Sequence, residues 1–369
     1  MQMKILMLIK RFEIGGAEDH VLELANSLCA RGIEIHLVCK RGRKISELHP
    51  EIKTHPVYFK NFLLPFNVLL LIRLTRKEKI DLIHAHQNSP ILAACITGLL
   101  ADVPVIATIH GLLKKEVGLE FIQKQLSKVI VISQNSFTGS QRIPLLKNKT
   151  ELILNPLPGI GFYSEQYDKN RIVYACRVDR GHYSFIQLLL TQVIPLLRNY
   201  NKNISIQIVG DGNSFYCLKK TATKINSGFG VEAVQVLGYK KNIMEIISKA
   251  GLVIGVGRVA MQALSLGIPV ISANRKHLCR IICSENYRYM RDNNFVSVDD
   301  PPPSRDQIVQ SILQLFDRYE YYKEQAVQLA KEVKVDYDYD SDAVISKTIS
   351  VYQSCMNTYA IAAPIASVK

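Results

Sequence analysis

The chain has 369 residues, of which 48% are hydrophobic and 21% charged, which excludes a disordered protein and at this length predicts two domains. Its net charge of +14 is shared by residues 1–165 and 166–369 and favours anionic ligands; nucleic acid is not expected, because no helix-turn-helix, zinc-finger or ribonucleoprotein motif is present. Eight scattered cysteines suit reduced core thiols in the cytoplasm, and the longest apolar run, 62–72, is too short to span a membrane.

Strands and helices alternate from the beginning of the chain. The apolar run Lys4–Ile9 predicts a strand, Ala17–Arg31 has apolar residues at helical spacing, and Glu34–Cys39 predicts a second strand. Such a βαβ unit implies a parallel sheet whose ligands bind at the carboxyl ends of the strands. Further strands are predicted at Lys53–Tyr58, Asp81–Ala85, Pro104–Ile109, Lys128–Ile132 and Glu151–Leu154.

A segment with two prolines and two glycines, residues 155–161, interrupts this alternation and predicts a domain boundary. The alternation then resumes, with strands at Arg171–Cys176, Ile204–Val209 and Val234–Leu237 and helices at Tyr183–Asn199, after Gly212, and at Asn242–Ala250. Three helices end the chain, at Asp306–Tyr319, Glu320–Val333 and Ser341–Met356. We predict an N-terminal domain over 1–160, a second domain over 161–340, and over 341–369 a helix that returns to the first domain, followed by a tail.

The stretch from Gly255 to Ile271 carries the clearest functional pattern. It predicts the end of a buried strand, a glycine-opened turn, an amphipathic helix closed by Gly267 and a second buried strand. A helix that begins after glycines presents unpaired backbone N–H groups where bulky ligand atoms can approach. This stretch is therefore a candidate anion site.

Six motifs, in order along the chain, resemble those of the family-4 retaining glycosyltransferases of the GT-B fold. They are Gly15-Gly16-Ala17-Glu18, Ile109-His110-Gly111, Cys176-Arg177-Val178-Asp179-Arg180-Gly181-His182, Val209-Gly210-Asp211-Gly212, Val236-Leu237-Gly238-Tyr239 and the Gly255–Ile271 stretch. The resemblance implies an α/β protein of two Rossmann-like, doubly wound domains that face each other across a cleft. It also implies a hexosyltransferase that moves a sugar from a nucleoside diphosphate sugar to an acceptor. No metal or other cofactor is expected, because protein cations and helix N-termini take the charge of the leaving diphosphate.

The candidate site residues of the N-terminal half are Gly15, Gly16 and His110. The two glycines have no side chain where a phosphate or sugar would pack on the first helix, although an ordinary tight turn explains them equally well. His110 follows a strand, and the resemblance implies a catalytic position near the transferred sugar. A hydrogen-bonded structural histidine is the alternative for this residue.

The candidate site of the C-terminal half begins with Arg177, which ends a strand and can hold two phosphate oxygens with its planar guanidinium. We assign it to donor binding and catalysis. His182 stands where the family usually has a lysine, and it carries a full charge only when protonated, so Arg180 is a substitute cation. The other candidate donor-binding residues are Gly210, Gly257, Arg258, Val259 and Gln262.

The family pattern also has two glutamates, at the positions of Ile254 and Gln262 in this chain. Isoleucine accepts no hydrogen bond, whereas Gln262 keeps an acceptor oxygen and loses the charge. These departures leave two alternatives open. One is a catalytically weakened relative that acts as a binding or scaffold partner, and the other is a sugar-nucleotide epimerase, which shares the two-domain fold.

The segment Phe59–Lys79 combines aromatic and aliphatic residues with several lysines and arginines. Such a segment suits an anionic lipid surface, and a core helix with a solvated cationic end is an equal alternative. The resemblance adds lipid-linked and lipopolysaccharide acceptors, which are frequent in the family. We therefore expect an enzyme of cell-envelope polysaccharide synthesis, cytoplasmic or peripheral on the inner face of the cytoplasmic membrane, whose partners are a nucleotide sugar and a glycan or lipid-linked acceptor.

Overall fold

The computed structural model describes residues 2–111, 113–155, 167–297, 301–337 and 341–366, which form two compact units. Unit 1 is Met1–Pro156 together with Asp340–Lys369, and unit 2 is Leu157–Tyr339. The predicted boundary segment 155–161 lies, after Asn155, outside the described residues. None of the helices in the described ranges is long and apolar enough to cross a membrane.

Unit 1 is built on a parallel sheet. Its strands are β1 (Lys4–Arg11), β2 (Glu34–Lys40), β3 (Lys53–Pro56), β4 (Leu82–His86), β5 (Val105–Ile109), β6 (Lys128–Val131) and β7 (Thr150–Leu152). They pair in the order β3-β2-β1-β4-β5-β6-β7. The central strands β4 and β5 are wholly buried, and β1 is buried from Ile5 to Ile9, as is typical of a parallel sheet that is covered on both faces.

Six helices connect these strands. They are α1 (Gly16–Cys29), α2 (Leu64–Glu78), α3 (Asn88–Ala101), α4 (Leu113–Val117), α5 (Glu120–Gln125) and α6 (Gln134–Gln141), with 3-10 turns at Arg43–Glu47 and Asn61–Leu63. The apolar spacing of α1 is explained by its packing, because Val21, Leu24 and Leu28 are buried against the sheet side of the unit.

Unit 2 has a second, smaller sheet. Its strands are β8 (Asp168–Ala175), β9 (Ser205–Val209), β10 (Val234–Gly238), β11 (Ala250–Ile254), β12 (Val270–Asn274) and β13 (His277–Ile281). They pair in the order β10-β9-β8-β11-β12-β13, and only β13 runs antiparallel to its neighbour. The helices are α7 (Arg180–Leu188), α8 (Ile194–Tyr200), α9 (Phe215–Phe229), α10 (Ile243–Ser248), α11 (Arg258–Ser265), α12 (Ser284–Asp292), α13 (Arg305–Asp317) and α14 (Tyr319–Tyr337).

The last helix, α15 (Ser341–Ala366), belongs to unit 1 although it follows unit 2 in the chain. It buries Val344, Ile345 and Tyr352, and Lys347 donates a hydrogen bond to the Leu152 carbonyl of β7. The chain therefore leaves unit 1, completes unit 2 and then returns.

The predicted fold class is confirmed, and most predicted strands and helices are present with limits that differ by a few residues. Two elements were not predicted: the edge strand β13 and helix α12. The predicted helix Tyr183–Asn199 is a continuous run from α7 to α8 with a π-helical segment at Leu189–Val193. Pro195 follows this segment and has no N–H to donate within the helix, which accounts for the wider turn.

Candidate functional site

Each sheet has one point at which its strand order reverses. This point lies between β1 and β4 in unit 1 and between β8 and β11 in unit 2. Ligands of doubly wound proteins bind outside the carboxyl ends of the strands at such a point. The predicted site residues Gly15, Gly16 and His110 follow β1 and β5, whereas Arg177 and Gly257 follow β8 and β11.

The glycine pair of unit 1 begins α1, and the two glycines differ. A Cβ on Gly15 would collide with the Glu18 carboxylate, whereas one on Gly16 would meet nothing within 4 Å. Glu18 is itself buried, and its carboxylate lies 4.0 Å from the guanidinium of Arg11. A side chain on Gly15 would therefore displace the end of the Glu18 side chain, whereas the space above Gly16 is open to a ligand.

His110 lies in a cluster of imidazoles behind the ends of β4 and β5. Its Nε2 is 3.0 Å from Nδ1 of His86, the last residue of β4. His20 of α1 packs edge-on against His110 with ring centroids 5.0 Å apart. Burial lowers the pKa of both His86 and His110 well below the usual histidine value, and the neighbouring histidines add to this shift. The paired rings are therefore uncharged at neutral pH.

A second buried histidine, His84, connects this cluster to the last helix. Its two ring nitrogens each lie 2.7 Å from a hydroxyl oxygen, one on Tyr352 of α15 and the other on Thr108 of β5. The ring also packs 4.3 Å from that of His86. Burial lowers the pKa of His84 to about 3, so this ring is neutral and both nitrogens are satisfied.

The loop that carries His110 is held by Glu116 of α4. The Glu116 carboxylate accepts hydrogen bonds from the backbone N–H groups of His110 and Gly111. Burial raises the pKa of Glu116 to about 7, and the two N–H groups oppose that shift. A Cβ on Gly111 would lie 2.8 Å from a Glu116 carboxylate oxygen, so a side chain there would displace the end of the Glu116 side chain.

In unit 2, the edge of the sheet formed by the carboxyl ends of β8 and β11 carries charged groups. Asp179 begins α7 by accepting a hydrogen bond from the backbone N–H of His182 at 3.1 Å, and Nδ1 of His182 lies 2.7 Å from the same oxygen. Nε of Arg177 is 3.9 Å from the other Asp179 oxygen. Burial raises the pKa of Asp179, but the hydrogen bond and charge of His182, with Arg177, outweigh it and the net shift is downward.

Two glycines shape the loops of this edge. Gly210 has a φ of 140°, and a Cβ there would collide with the carbonyl oxygen of Cys176 directly before Arg177. Gly257 has a φ of 56° and precedes the first residue of α11, and its N–H is bonded to the Asn294 carbonyl at 3.1 Å. Both positions require glycine for the backbone itself.

Helix α11 carries the other predicted donor-binding residues. Arg258, its first residue, is partly exposed, the side chain of Val259 packs over Gly255, and Gln262 is buried. Ile254 ends β11, and its side chain is part of the apolar core of unit 2. The buried Ile254 side chain therefore supplies no hydrogen-bond acceptor to a ligand, and Gln262 keeps only an uncharged amide.

Three residues that the sequence analysis did not single out belong to these edges: His20, Glu116 and the helix cap Asp179. Only Asp179 had a usable signal, because an aspartate before the first turn of a predicted helix is a common N-cap. His20 and Glu116 join His110 through sheet order and loop packing, which no local pattern encodes.

Comparisons with known proteins agree with this architecture. Residues 14–156 match the family model Glycosyltransferase Family 4, and residues 168–332 match the model Glycosyl transferases group 1. No curated protein matches the sequence.

Several solved structures share the fold. HepE of Anabaena, solved with UDP and glucose, has a TM-score of 0.71 at 16% identity and covers 96% of this chain and 100% of its own. TarM of S. aureus, solved with UDP and α-GlcNAc-glycerol, has a TM-score of 0.66 at 12% identity over 95% and 100%. A putative UDP-N-acetylglucosamine 2-epimerase of Listeria monocytogenes has a TM-score of 0.61 at 12% identity over 89% and 91%.

Proposed function

This chain belongs to the family-4 glycosyltransferases of the GT-B fold, and from that premise we propose that it retains anomeric configuration while transferring a sugar in cell-envelope polysaccharide synthesis. The donor is a nucleoside diphosphate sugar, and the acceptor is a glycan or a lipid-linked glycan. The acceptor oxygen bonds to the anomeric carbon on the face from which the diphosphate departs.

The observation that carries this proposal is the convergence of cations and helix N-termini at the edge of unit 2. Tyr174 of β8 is in register with Ile254 of β11, and Arg177 and Gly257 each follow three residues later. The two loops therefore leave neighbouring strands side by side. The guanidinium of Arg275 comes within 4.0 Å of the position that a Cβ on Gly181 would take, at the beginning of α7.

This edge suits a leaving diphosphate. Arg177 and Arg258, with the backbone N–H groups at the N-terminus of α11, would bind the phosphate oxygens and stabilise the negative charge that develops as the sugar departs. Fixed cations of this kind replace a metal ion, so we propose that transfer proceeds without one. His182 adds a hydrogen-bond donor, and Gln262 offers an uncharged amide to the ribose hydroxyls.

In unit 1 we assign the open space above Gly16 and the exposed side of His110 to the sugar. A neutral imidazole donates or accepts a hydrogen bond, which suits hydroxyl groups better than phosphate. His110 would therefore orient the sugar or the reacting centre, while unit 2 takes the charge.

The test is turnover with a panel of nucleotide sugars and acceptor glycans. UDP is the first probe, because HepE and TarM share the fold and were solved with it. We expect nucleoside diphosphate release that depends on both donor and acceptor, and a product whose anomeric configuration, read by NMR, equals that of the donor.

Three results would contradict this proposal. Isomerisation of the donor without acceptor would identify an epimerase, and saturable nucleotide binding with no turnover on any acceptor would identify a weakened relative with a scaffold role. Inversion at the anomeric carbon would overturn the proposed stereochemistry.

We also propose that unit 1 docks on anionic lipid at the inner face of the cytoplasmic membrane. One face of α2 is buried through Asn67, Val68, Leu71 and Thr75. The opposite face, at helical spacing, exposes Phe66 (74%) and Leu69 (67%), with Phe62 (72%) before the helix. Lys60, Arg73, Arg76 and Lys77 surround these apolar side chains and are also exposed, so the surface matches lipid tails and anionic headgroups together.

Vesicle flotation tests separately whether the docking depends on anionic headgroups and on the exposed apolar side chains. The protein should float with vesicles that contain phosphatidylglycerol and not with neutral phosphatidylcholine vesicles, and the double variant Phe66→Ser, Leu69→Ser should lose this binding. Tyr216→Ser, which removes an equally exposed aromatic ring from α9 of unit 2, is the matched control and should float normally. Equal loss in both variants, or no flotation of the native chain, would refute the docking surface.

A further inference from the structure

Three histidines from three separate elements of unit 1 bring their rings together. They are His20 on α1, His86 at the end of β4 and His110 after β5. Each offers one ring nitrogen, and these three nitrogens all lie within 4.8 Å of one another. His20 and His86 are buried, and His110 is partly exposed, so the cluster is enclosed by protein and has one accessible side.

The geometry is close to that of a three-histidine metal centre. Zinc is bound by imidazole at about 2.0–2.1 Å, so two nitrogens on one tetrahedral ion are about 3.3 Å apart. Nδ1 of His86 is already 3.0 Å from Nε2 of His110, and a turn of the His86 ring would present its other nitrogen, Nε2, in the same place. Small rotations of the rings would therefore complete the set, and three protein ligands leave a fourth position for water.

A second observation points to a ligand at this place. Nε2 of His86 is buried and has no hydrogen-bond partner among the described residues. Buried polar atoms in folded proteins nearly always have a partner, and an ion or its water in the cluster is the simplest one here.

We propose that His20, His86 and His110 form a site for a divalent transition-metal ion of the zinc class, and that its occupation inhibits sugar transfer. A set made only of nitrogens selects zinc, nickel or copper over magnesium and calcium, which prefer oxygen. The inhibitory half rests on the proposed function, because a metal-bound His110 is no longer available to the sugar.

Two other groups of potential ligands lie in unit 1 and must be distinguished from this one. Cys29, His49 and Glu51 form the first, and Glu34, His36 and Glu78 form the second. Glu34 already accepts a hydrogen bond from Lys53 at 2.7 Å and is paired with Lys4. Burial raises the pKa of the Cys29 thiol, which disfavours the thiolate that binds metal. The three-histidine group contains no carboxylate and no thiol.

The binding experiment uses the full chain without a histidine tag. Calorimetry with zinc chloride should show one ion per chain, and His110→Gln and His20→Gln should each weaken this binding by at least about tenfold. Cys29→Ser and His36→Gln are the matched controls and should bind as the native chain does. Cobalt(II) should give the visible spectrum of a tetrahedral ion without a sulfur-to-cobalt charge-transfer band.

The site is refuted if no ion binds, if both His20→Gln and His110→Gln bind normally, or if Cys29→Ser or His36→Gln abolishes binding. Circular dichroism melting of every variant shows whether lost binding is merely lost folding. His110→Gln is the more informative variant, because His110 is the partly exposed member of the cluster.

A turnover measurement then tests the second half of the proposal. Saturating zinc should abolish transfer by the native chain, EDTA should restore it, and magnesium should have no effect. Full turnover with the site occupied would overturn the inhibitory role. Zinc binding by a metal-free chain that transfers no sugar would support the site and overturn the proposed function instead.

Discussion

The ligand edges of the two units are built from different chemistry. The edge of unit 1 is lined by buried, uncharged imidazoles that are hydrogen-bonded to one another or to hydroxyls. The edge of unit 2 is lined by guanidinium groups and by the N-termini of α7 and α11, and its one imidazole pairs with Asp179. Both edges occur at the same point of the same sheet topology.

The difference shows that sheet topology places a site and side chains decide its ligand. Neutral rings and open space suit hydroxyl groups, whereas fixed cations and free N–H groups suit phosphate. The glycines differ in the same way: Gly16 leaves room, whereas Gly210 and Gly257 are required by the backbone.

The largest expected effect is on the folding of unit 2. Gly210→Ala should destabilise it by about 3 kcal/mol or more, because the new Cβ collides with the Cys176 carbonyl oxygen and the φ of 140° is strained for alanine. Urea unfolding measures this change. Gly228→Ala, in the last turn of α9 with nothing within 4 Å, should instead stabilise by about 0.5 kcal/mol.

Gly16→Ala extends this comparison to unit 1. It should leave stability unchanged within about 0.5 kcal/mol, since its Cβ meets open space. A loss of several kcal/mol would show that both edges use glycine for the backbone, and the contrast would fail.

The next effect concerns phosphate binding. Arg177→Gln should weaken UDP binding about tenfold to a hundredfold, because a charge-assisted hydrogen bond contributes about 1.5–3 kcal/mol. His110→Gln should leave the Kd for UDP within about a factor of two and lower kcat. Calorimetry and turnover measure both, and Arg305→Gln on the exposed side of α13 is the control. If Arg177→Gln and His110→Gln weakened UDP binding equally, the two edges would not differ in the ligand that they bind.

A smaller loss of stability is expected when the hydrogen bond between Tyr352 and His84 is removed. Tyr352→Phe should destabilise unit 1 by about 1–3 kcal/mol, because it leaves Nδ1 of buried His84 without its partner. Tyr359→Phe is the control, since its hydroxyl bonds Asp102 on an exposed part of the surface and its loss should change stability by less than 1 kcal/mol or so. If Tyr359→Phe destabilised the protein more than Tyr352→Phe, the buried hydrogen bond between Tyr352 and His84 would not be needed for folding.

A still smaller loss of stability is expected from substitution of Asp179, the N-cap residue of α7. Asp179→Ala should cost about 1 kcal/mol at pH 7, whereas Asp179→Asn keeps the cap and removes only the charge. The pKa of Asp179 is lowered in the folded state, so its charge stabilises above the usual value of 3.8 and this contribution is lost as the pH falls below it. Urea unfolding of the native chain and Asp179→Asn should therefore converge in acid, and a constant difference would contradict the lowered pKa.

The sequence was sufficient for the fold class and for the loops that carry Gly15, Arg177 and Gly257, because strand periodicity and glycine position are local signals. It did not reveal how the Ile254 side chain packs, which the structure places in the apolar core of unit 2. The meeting of His20 with His86 and His110 depends on the pairing of β1 with β4 and of β4 with β5, which are far apart in the chain. Strand β13 was missed because it is a short strand at the edge of its sheet.

Helix α15 has a consequence for biosynthesis. Residues 157–339 of unit 2 are all made before Ser341–Ala366, yet unit 1 needs that last segment to cover its core and to give His84 the hydroxyl of Tyr352. On the ribosome, the first unit to be synthesised is therefore the last to be completed. A nascent chain that stalls after residue 339 would hold a finished unit 2 and an unfinished unit 1, and it is unit 1 that would need a chaperone during that interval.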